Sequence, residues 1–99
     1  MYNLKISNLL LVIMKILYGT QFYSIDITKM CFNLLIVDNE IVIPSGDINR
    51  IKLFSDPVPS NIKYIYIVKD NLNYITYQYS DIYTIKINVI TNEISHIKN

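Results

Sequence analysis

Residues 61–70, NIKYIYIVKD, carry the strongest strand pattern in the chain and decide its fold. Successive side chains of a β-strand point to opposite faces, so this stretch divides into two sets. One set holds Lys63, Ile65 and Ile67, and the other holds Ile62, Tyr64, Tyr66 and Val68. Both sets are largely apolar, which is typical of a central strand or of a strand with an aromatic outer face. The stretch therefore predicts the middle of a β-sheet.

Three more strand patterns follow, each after a cluster of turn-forming residues. They are YITYQY at 74–79, IYTIKINVI at 82–90 and ISHI at 94–97. Asp, Asn or Ser precedes each of them, and these residues favour turns because their side chains bond the neighbouring backbone. Short turns between consecutive strands predict an antiparallel C-terminal β-meander of about four strands.

The N-terminal half also contains short extended patterns. They are MKILY at 14–18, FYSIDI at 22–27 and EIVIP at 40–44. Between the second and the third, Thr28 can cap one short helix over about residues 28–37, where apolar side chains recur at helical spacing. No βαβ spacing is visible, so the predicted fold class is mainly β. We expect a small antiparallel β-sandwich with this one helix and the C-terminal meander.

Residues 43–59, IPSGDINRIKLFSDPVP, interrupt the strand patterns and hold all three prolines of the chain. A structureless loop of this length is uncommon in a compact domain and is usually packed or functional. Its glycine lacks the spacing of a phosphate-binding loop. We predict a packed crossover between the two halves of the domain, with Asn49 and Arg50 as its outward-facing contacts.

Length and composition predict one domain with a core of its own. The chain has 99 residues, of which 52% are hydrophobic and 17% are charged. The domain is expected to span residues 14–99, a typical domain size. Residues 1–13 are either an N-terminal extension, with Met14 as the natural start, or an extra strand. The apolar run at 9–14 is shorter than the about 20 residues that a membrane span needs.

Charge and metal-ligating residues argue against several classes of function. The net charge is +1 without a run of like charges, which disfavours nucleic-acid binding. Cys31 is the only cysteine and His96 the only histidine, too few ligands for a metal site. A Cys31–His96 nucleophile and base is disfavoured because Cys31 falls on the apolar side of the predicted helix. We predict no enzyme activity, no cofactor, no metal and an intracellular location.

The tyrosines are the remaining candidates for a functional surface. Five of them lie on neighbouring predicted strands: Tyr64, Tyr66, Tyr74, Tyr77 and Tyr79. Cross-strand aromatic pairs stabilise a sheet by about 0.2–1 kcal/mol each, and tyrosine is also enriched at interfaces. Sheet packing and partner binding both stay open for these residues. The candidate interaction surface consists of the five tyrosines with Asn49 and Arg50.

A series of short motifs runs along the chain in a fixed order. It comprises Tyr18-Gly19-Thr20, Ile25-Asp26-Ile27-Thr28, Ile43-Pro44, Phe54-Ser55-Asp56-Pro57, and then Lys63 before an apolar strand. This series resembles the domain at the C-terminus of DnaJ subfamily C member 11 co-chaperones. It also resembles short proteins of mimivirus-type giant DNA viruses. The resemblance covers residues 14 to about 89 and implies a binding or structural module without an established catalytic centre.

The resemblance implies that the motif residues build loops and turns. Those judged structural are Tyr18, Gly19, Asp26, Thr28, Pro44, Asp56 and Pro57. An Asp before a helix or before a proline satisfies backbone donors, which agrees with that reading. Two positions depart from the pattern, because Ser55 and Ser60 stand where glycine is common.

These observations predict a non-enzymatic protein-interaction or structural module that acts through self-association or a protein partner. In a large DNA virus it would be a virion-associated or assembly protein, in the virion or the host cytoplasm. The alternative is a small-ligand or glycan-binding module that uses the tyrosine-rich strand faces.

Overall fold

The structure is a computed structural model and describes residues 14–69 and 75–99 of the chain. Eight strands and two helices lie in this described part. The strands are β1 (Met14–Gly19), β2 (Ser24–Asp26), β3 (Ile36–Val37), β4 (Glu40–Ile43), β5 (Tyr64–Lys69), β6 (Ile75–Tyr79), β7 (Tyr83–Asn88) and β8 (Ile94–Lys98). The helices are α1 (Thr28–Leu34) and α2 (Asp47–Phe54). The predictions for residues 1–13 and for Tyr74 lie outside the described residues.

The described strands form two four-stranded sheets in which every pairing is antiparallel. Sheet A has the order β2-β1-β5-β6, and sheet B has the order β3-β4-β7-β8. The stretch at residues 61–70 contains β5, which lies inside sheet A between β1 and β6. The predicted mainly β, antiparallel fold is therefore confirmed.

The hydrophobic core combines the inner faces of both sheets, as expected for a sandwich. Ile16 of β1 lies opposite Ile67 of β5, and Ile41 of β4 lies opposite Ile87 of β7. All four side chains are buried in one cluster. Other core members are Met14, Tyr18, Ile27, Cys31, Ile43, Phe54, Ile65 and Ile85. Burying an isoleucine side chain stabilises a fold by about 1.5–3 kcal/mol, so these positions supply a large share of the stabilising energy.

Two expectations for the helices are wrong. α1 ends at Leu34 rather than at residue 37, because Ile36 and Val37 form β3 and pair with β4. Their β-branched side chains favour this extended backbone over a helical one. In addition, residues 43–59 hold α2, which follows Gly46 and its positive φ of 91°. The stretch does connect sheet B to sheet A, but through a second helix. The sequence pattern did not predict this helix, because a glycine and three prolines lie close to its ends.

The predicted C-terminal meander is also wrong. β5 and β6 pair in sheet A, whereas β7 and β8 pair in sheet B, so the chain changes sheets between Tyr79 and Tyr83. The Asp81 carbonyl accepts a hydrogen bond from the Gly46 N–H at 2.7 Å. This bond ties the connection to the start of α2. The turn-forming residues Ser80 and Asp81 therefore lead from one sheet to the other instead of closing a hairpin.

Candidate interaction surface

Two tyrosines of β5 face away from the core on the outer side of sheet A. Ile65 and Ile67 are buried, so the alternation of the strand turns Tyr64 and Tyr66 outward. Tyr64 lies opposite Gly19 of β1, which has no side chain to cover the ring. The centroids of the two tyrosine rings are 6.2 Å apart and the rings are tilted by 55°, a favourable aromatic arrangement.

The turn at residues 20–23, between β1 and β2, adds two exposed aromatic rings. The Thr20 N–H donates to the Tyr23 carbonyl at 2.8 Å. Thr20 Oγ1 accepts from the N–H groups of Phe22 at 3.3 Å and Tyr23 at 3.1 Å. With its backbone fixed in this way, the turn presents Phe22 at 90% exposure and Tyr23 at 58%. Large aromatic rings held in water by a rigid turn are suited to contact with another molecule.

The two tyrosines and the turn enclose an open cleft of about 550 Å³. We call it the aromatic cleft, and its principal walls are Phe22, Tyr23, Val58, Tyr64, Tyr66 and Gln78. The polar groups of the described lining residues are hydroxyls and amides rather than charged groups. The cleft therefore suits an uncharged, partly apolar surface.

A buried lysine holds the loop that forms one wall of the aromatic cleft. Lys63 Nζ lies 3.3 Å from Asp47 Oδ2 and 3.1 Å from Asp56 Oδ1, and its side chain is 2% exposed. Nζ also donates to the Asn61 carbonyl at 3.1 Å and to the Val58 carbonyl at 3.5 Å. Burial acts to lower the pKa of Lys63, but hydrogen bonds and charge from Asp56 and Asp47 outweigh it and raise that pKa. The charged ammonium group thereby fixes Val58 and Asn61, which line the cleft.

Asp47 connects this lysine to the core. Its Oδ1 accepts a hydrogen bond from the Tyr18 hydroxyl at 2.8 Å. The Tyr18 ring in turn packs against Phe54, with centroids 5.7 Å apart. Burial, together with the bond to Asp47, raises the pKa of the Tyr18 phenol. Tyr18, Asp47, Asp56 and Lys63 form what we call the aspartate–lysine network, which brings three of the motif residues side by side.

Two other motif residues tie α1 to β1. Asp26 Oδ1 accepts hydrogen bonds from the Thr28 N–H at 2.9 Å and from the Thr28 hydroxyl at 2.6 Å. Thr28 Oγ1 accepts from the Ile16 N–H at 2.9 Å, in the middle of β1. The Asp56 carboxylate similarly accepts from the Val58 N–H at 3.2 Å, across Pro57. Each of these carboxylates satisfies backbone donors in a turn.

The prediction that Arg50 faces outward is wrong. Its side chain has 0% exposure, because α2 places Arg50 on the same buried face as Phe54, one helical turn later. Arg50 Nε donates to the Pro44 carbonyl at 2.9 Å, and Nη2 donates to the Tyr83 carbonyl at 2.7 Å. Burial lowers the pKa of Arg50. Arg50 therefore connects α2 to β7, while Asn49 in the same helix is exposed.

The predicted tyrosine surface is divided between the two faces of sheet A. The β5–β6 register places Tyr66 opposite Gln78 and Ile67 opposite Tyr77. Tyr77 and Tyr79 therefore lie on the core-facing side of β6, where they pack against the buried cluster. The prediction of a single ladder of tyrosines is therefore wrong. Of the four that the structure describes, Tyr64 and Tyr66 face outward and Tyr77 and Tyr79 face the core.

Cys31 and His96 lie in different surroundings. Cys31 belongs to the buried core, and burial, with a contribution from the charge of Asp26, raises the pKa of its thiol to about 12. A nucleophilic cysteine needs the opposite shift. His96 is exposed on β8, where its ring centroid lies 5.2 Å from that of Tyr79 and 5.1 Å from that of Tyr83.

The residues that sequence reasoning missed are those of the 20–23 turn and the facing loop. For Phe22 and Tyr23 the sequence did hold an indication of an exposed aromatic turn, since two consecutive aromatic residues follow Gly19-Thr20. For Val58 and Asn61 the sequence held no such indication, because their position beside the cleft depends on the contacts of Lys63. The β1–β5 pairing brings these two segments to the same end of sheet A.

No known protein family matches the chain, and no curated protein or solved structure matches it either. In residues 14–69 and 75–99, no helix is long and apolar enough to cross a membrane. The same ranges hold no group of three or more His, Cys, Asp or Glu side chains that could bind a metal ion. The features of the described chain that bear on its function are therefore the outer face of sheet A and the aspartate–lysine network behind it.

Ser55, in the loop after α2, lies in a backbone region that favours glycine, with φ 73° and ψ 177°. The Ser55→Gly variant is expected to gain about 1 kcal/mol in unfolding free energy. Relief of about 2 kcal/mol of strain exceeds the entropic cost of glycine, about 1 kcal/mol. Urea unfolding measures the gain. Ser80→Gly, at a position without positive φ, is the control and is expected to lose stability; a Ser55→Gly chain that also loses stability contradicts the prediction.

Proposed function

We propose that the chain is a non-enzymatic protein-interaction module that binds a protein partner through the aromatic cleft. The observation that carries this proposal is the exposed aromatic surface around the cleft, where Phe22 is 90% and Tyr23 58% exposed. Aromatic residues are enriched at the centres of protein interfaces because they supply large, rigid contact area. Exposed apolar surface of this kind is typical of an interaction site.

The support behind the cleft also favours a binding role. One wall is a central strand, another is the turn held by Thr20, and a third is the loop held by Lys63. A surface that is already ordered loses little conformational freedom when a partner binds, so more of the contact energy appears as affinity. The protonated Cys31 thiol offers no comparable support for nucleophilic chemistry.

The same proposal includes an intracellular role as a virion-associated or assembly protein of a large DNA virus. Its basis is the resemblance to short proteins of giant DNA viruses. Two positions at which this chain departs from the pattern of those proteins, Ser55 and Ser60, have φ values of 73° and 67°. These values favour glycine, the residue that is common there in the resembling proteins.

A capture experiment with the double variant Y64S/Y66S tests the proposal. The immobilised chain is incubated with an extract of its native source, and bound proteins are quantified by mass spectrometry. We expect the amount of partner captured by Y64S/Y66S to be at least about tenfold lower than that captured by the wild-type chain. Each central aromatic residue of an interface contributes about 1–2 kcal/mol to binding. V37S is the matched control, because Val37 is 62% exposed but belongs to sheet B.

Capture that is equal for Y64S/Y66S and the wild-type chain contradicts the aromatic cleft as the binding surface. A strictly monomeric chain that captures nothing contradicts the interaction function as a whole.

A small-ligand or glycan-binding function is the second candidate, and the lining of the same cleft favours it. Gln21, Asn61 and Gln78 place amide groups around the rings of Tyr64 and Tyr66. Aromatic rings with a few uncharged polar groups suit a neutral sugar. A glycan array probed with the wild-type chain and Y64S/Y66S separates the candidates. Sugar binding that Y64S/Y66S loses favours this function, and an array without binding contradicts it.

A further inference from the structure

Each sheet ends in one very short strand and one longer strand. In sheet A the edges are β2, with three residues, and β6, with five. In sheet B they are β3, with two residues, and β8, with five. An edge strand presents unpaired backbone N–H and C=O groups, and proteins protect such edges by shortness, lysine, proline or bulges. Shortness protects β2 and β3, which leaves β6 and β8 as the described edges that are long enough to pair.

β6 lacks the other protections. Its sequence is ITYQY, without a charged residue or a proline. Its register with β5 runs through five consecutive pairs, so no bulge interrupts the strand. Thr76 and Gln78 are exposed on the outer face, and Ile75 is 40% exposed on the other. β8 differs because it carries His96 and Lys98.

We propose that β6 is a self-pairing edge, at which a second copy of this chain adds its own β6 antiparallel across a two-fold axis. This inference rests on the proposed interaction function and names one partner within it. The register that pairs every residue of β6 is centred on Tyr77, which then lies opposite the partner's Tyr77. Ile75 lies opposite the partner's Tyr79, and Thr76 opposite the partner's Gln78. Such β-branched–aromatic, aromatic–aromatic and polar–polar pairs are each favourable across strands.

The same operation gives a poorer match at β8. Centring that strand on His96 brings two histidines together and sets Ile94 opposite the partner's Lys98. Neither pair stabilises a sheet in the way that the β6 pairs do. Self-complementarity, which a two-fold interface requires, therefore distinguishes β6 from the other long edge.

Pairing at β6 joins two copies of sheet A into one continuous sheet. Its outer face then carries two aromatic cleft surfaces, one from each copy, because Gln78 lines the cleft beside the pairing edge. A partner with two matching sites would bind both clefts with increased avidity. Self-pairing at the edge of β6 and partner binding in the cleft thus meet at Gln78 and support each other.

Sedimentation equilibrium of the full chain, from about 1 to about 300 μM, tests the proposal in the range where small interfaces associate. The average mass is expected to rise from that of one chain to that of two, and to stop there. In T76K/Q78K, the lysine at position 76 of each copy lies opposite the lysine at position 78 of the other copy. Two pairs of like charges therefore meet across the two-fold axis. We expect the dissociation constant to increase at least about tenfold.

The charge-swapped variant T76K/Q78E tests the register. Its introduced lysine faces the introduced glutamate of the second copy, so the dissociation constant should return to within about threefold of the wild-type value. S95K/I97K is the matched control, since it adds two lysines to exposed positions of β8 and should leave dimerisation unchanged. Circular dichroism verifies that all variants fold.

Three outcomes overturn the self-pairing: a wild-type chain that stays monomeric, an assembly that grows beyond two copies, or a T76K/Q78E chain as weakly associated as T76K/Q78K. A monomer that still captures a protein partner through the aromatic cleft overturns the self-pairing and leaves the proposed function standing.

Discussion

The Gly19→Ala variant is expected to lose about 4 kcal/mol of unfolding free energy and to melt about 20 °C below the wild-type chain. Gly19 has a φ of 150°, which favours glycine. A methyl group at this position would collide with the Tyr23 carbonyl oxygen and lie 2.7 Å from Ser24 Cα. Both are backbone atoms and cannot rotate aside. Backbone strain and overpacking each cost about 1–3 kcal/mol, and both apply here.

Gly46→Ala is the matched control for this prediction. Gly46 also has a positive φ, at 91°. A methyl group there would meet Asn49 Nδ2 at 3.1 Å, the end of a flexible side chain that can move. The expected loss is therefore only about 1–2 kcal/mol, from backbone strain alone. Urea unfolding followed by circular dichroism compares the two variants, and equal losses would show that the backbone collision at Gly19 has no energetic consequence.

Local alternation was sufficient to predict β5 and the sandwich around it. Within β5 the fold separates four of these side chains as predicted, with Ile65 and Ile67 buried and Tyr64 and Tyr66 outward, whereas Val68 of the outward set is also buried. This follows because the side-chain period of a strand depends only on its own backbone geometry. The faces of a strand can therefore be predicted from its sequence without knowledge of its partners.

Pairing partners and register depend on distant contacts, and there the sequence was misleading. Alternation shows that Tyr77 and Tyr79 share a face, but not whether that face matches the one of Tyr64 and Tyr66. A register shift of one residue would reverse the answer. The same limit applies to Ser80 and the residue after it, whose turn chemistry is equally compatible with a hairpin and with a change of sheet.

Buried charges are the second feature that local pattern cannot predict. Arginine and lysine are almost never fully buried unless they are paired, so a sequence favours the surface for both. Arg50 is buried because the fold brings it to the Tyr83 carbonyl, 33 positions away. Lys63 is buried because Asp47 and Asp56 reach it from α2 and the following loop. Each of these partners comes from tertiary structure.

The Lys63→Met variant is expected to lose about 3 kcal/mol of unfolding free energy. Methionine fills a similar volume, so the main change is the loss of a cation from Asp47 and Asp56 and of a donor from the Asn61 carbonyl. Breaking a buried ion pair costs about 3–5 kcal/mol. The two carboxylates are 36% and 27% exposed, so water can still solvate them when the lysine is removed. The expected loss of unfolding free energy therefore lies at the lower end of this range.

The pH dependence of this loss identifies its electrostatic part. The pKa of Lys63 is raised above its ordinary value of 10.5 in the folded chain. Its contribution is therefore fully present below that value and disappears as pH rises through the folded pKa. The stability difference between the wild-type chain and Lys63→Met should stay constant at neutral pH and shrink as pH rises above 10.5. A stability difference that does not change with pH would indicate that Lys63→Met acts through altered packing rather than through the loss of a charge.

A double-mutant cycle with Asp47→Asn separates the ion pair from the rest of the network. The D47N/K63M chain should lose about 1–2 kcal/mol less than the two single losses added together, because the first change removes one charge that the second leaves unpaired. Lys52→Met, at an exposed position of α2, is the control and should stay within about 0.5 kcal/mol of wild type.

Because Lys63 also anchors Val58 and Asn61, Lys63→Met should weaken partner capture at the aromatic cleft while the chain is still folded. A Lys63→Met chain that is less stable but captures its partner normally would separate the aspartate–lysine network from the binding surface that it supports.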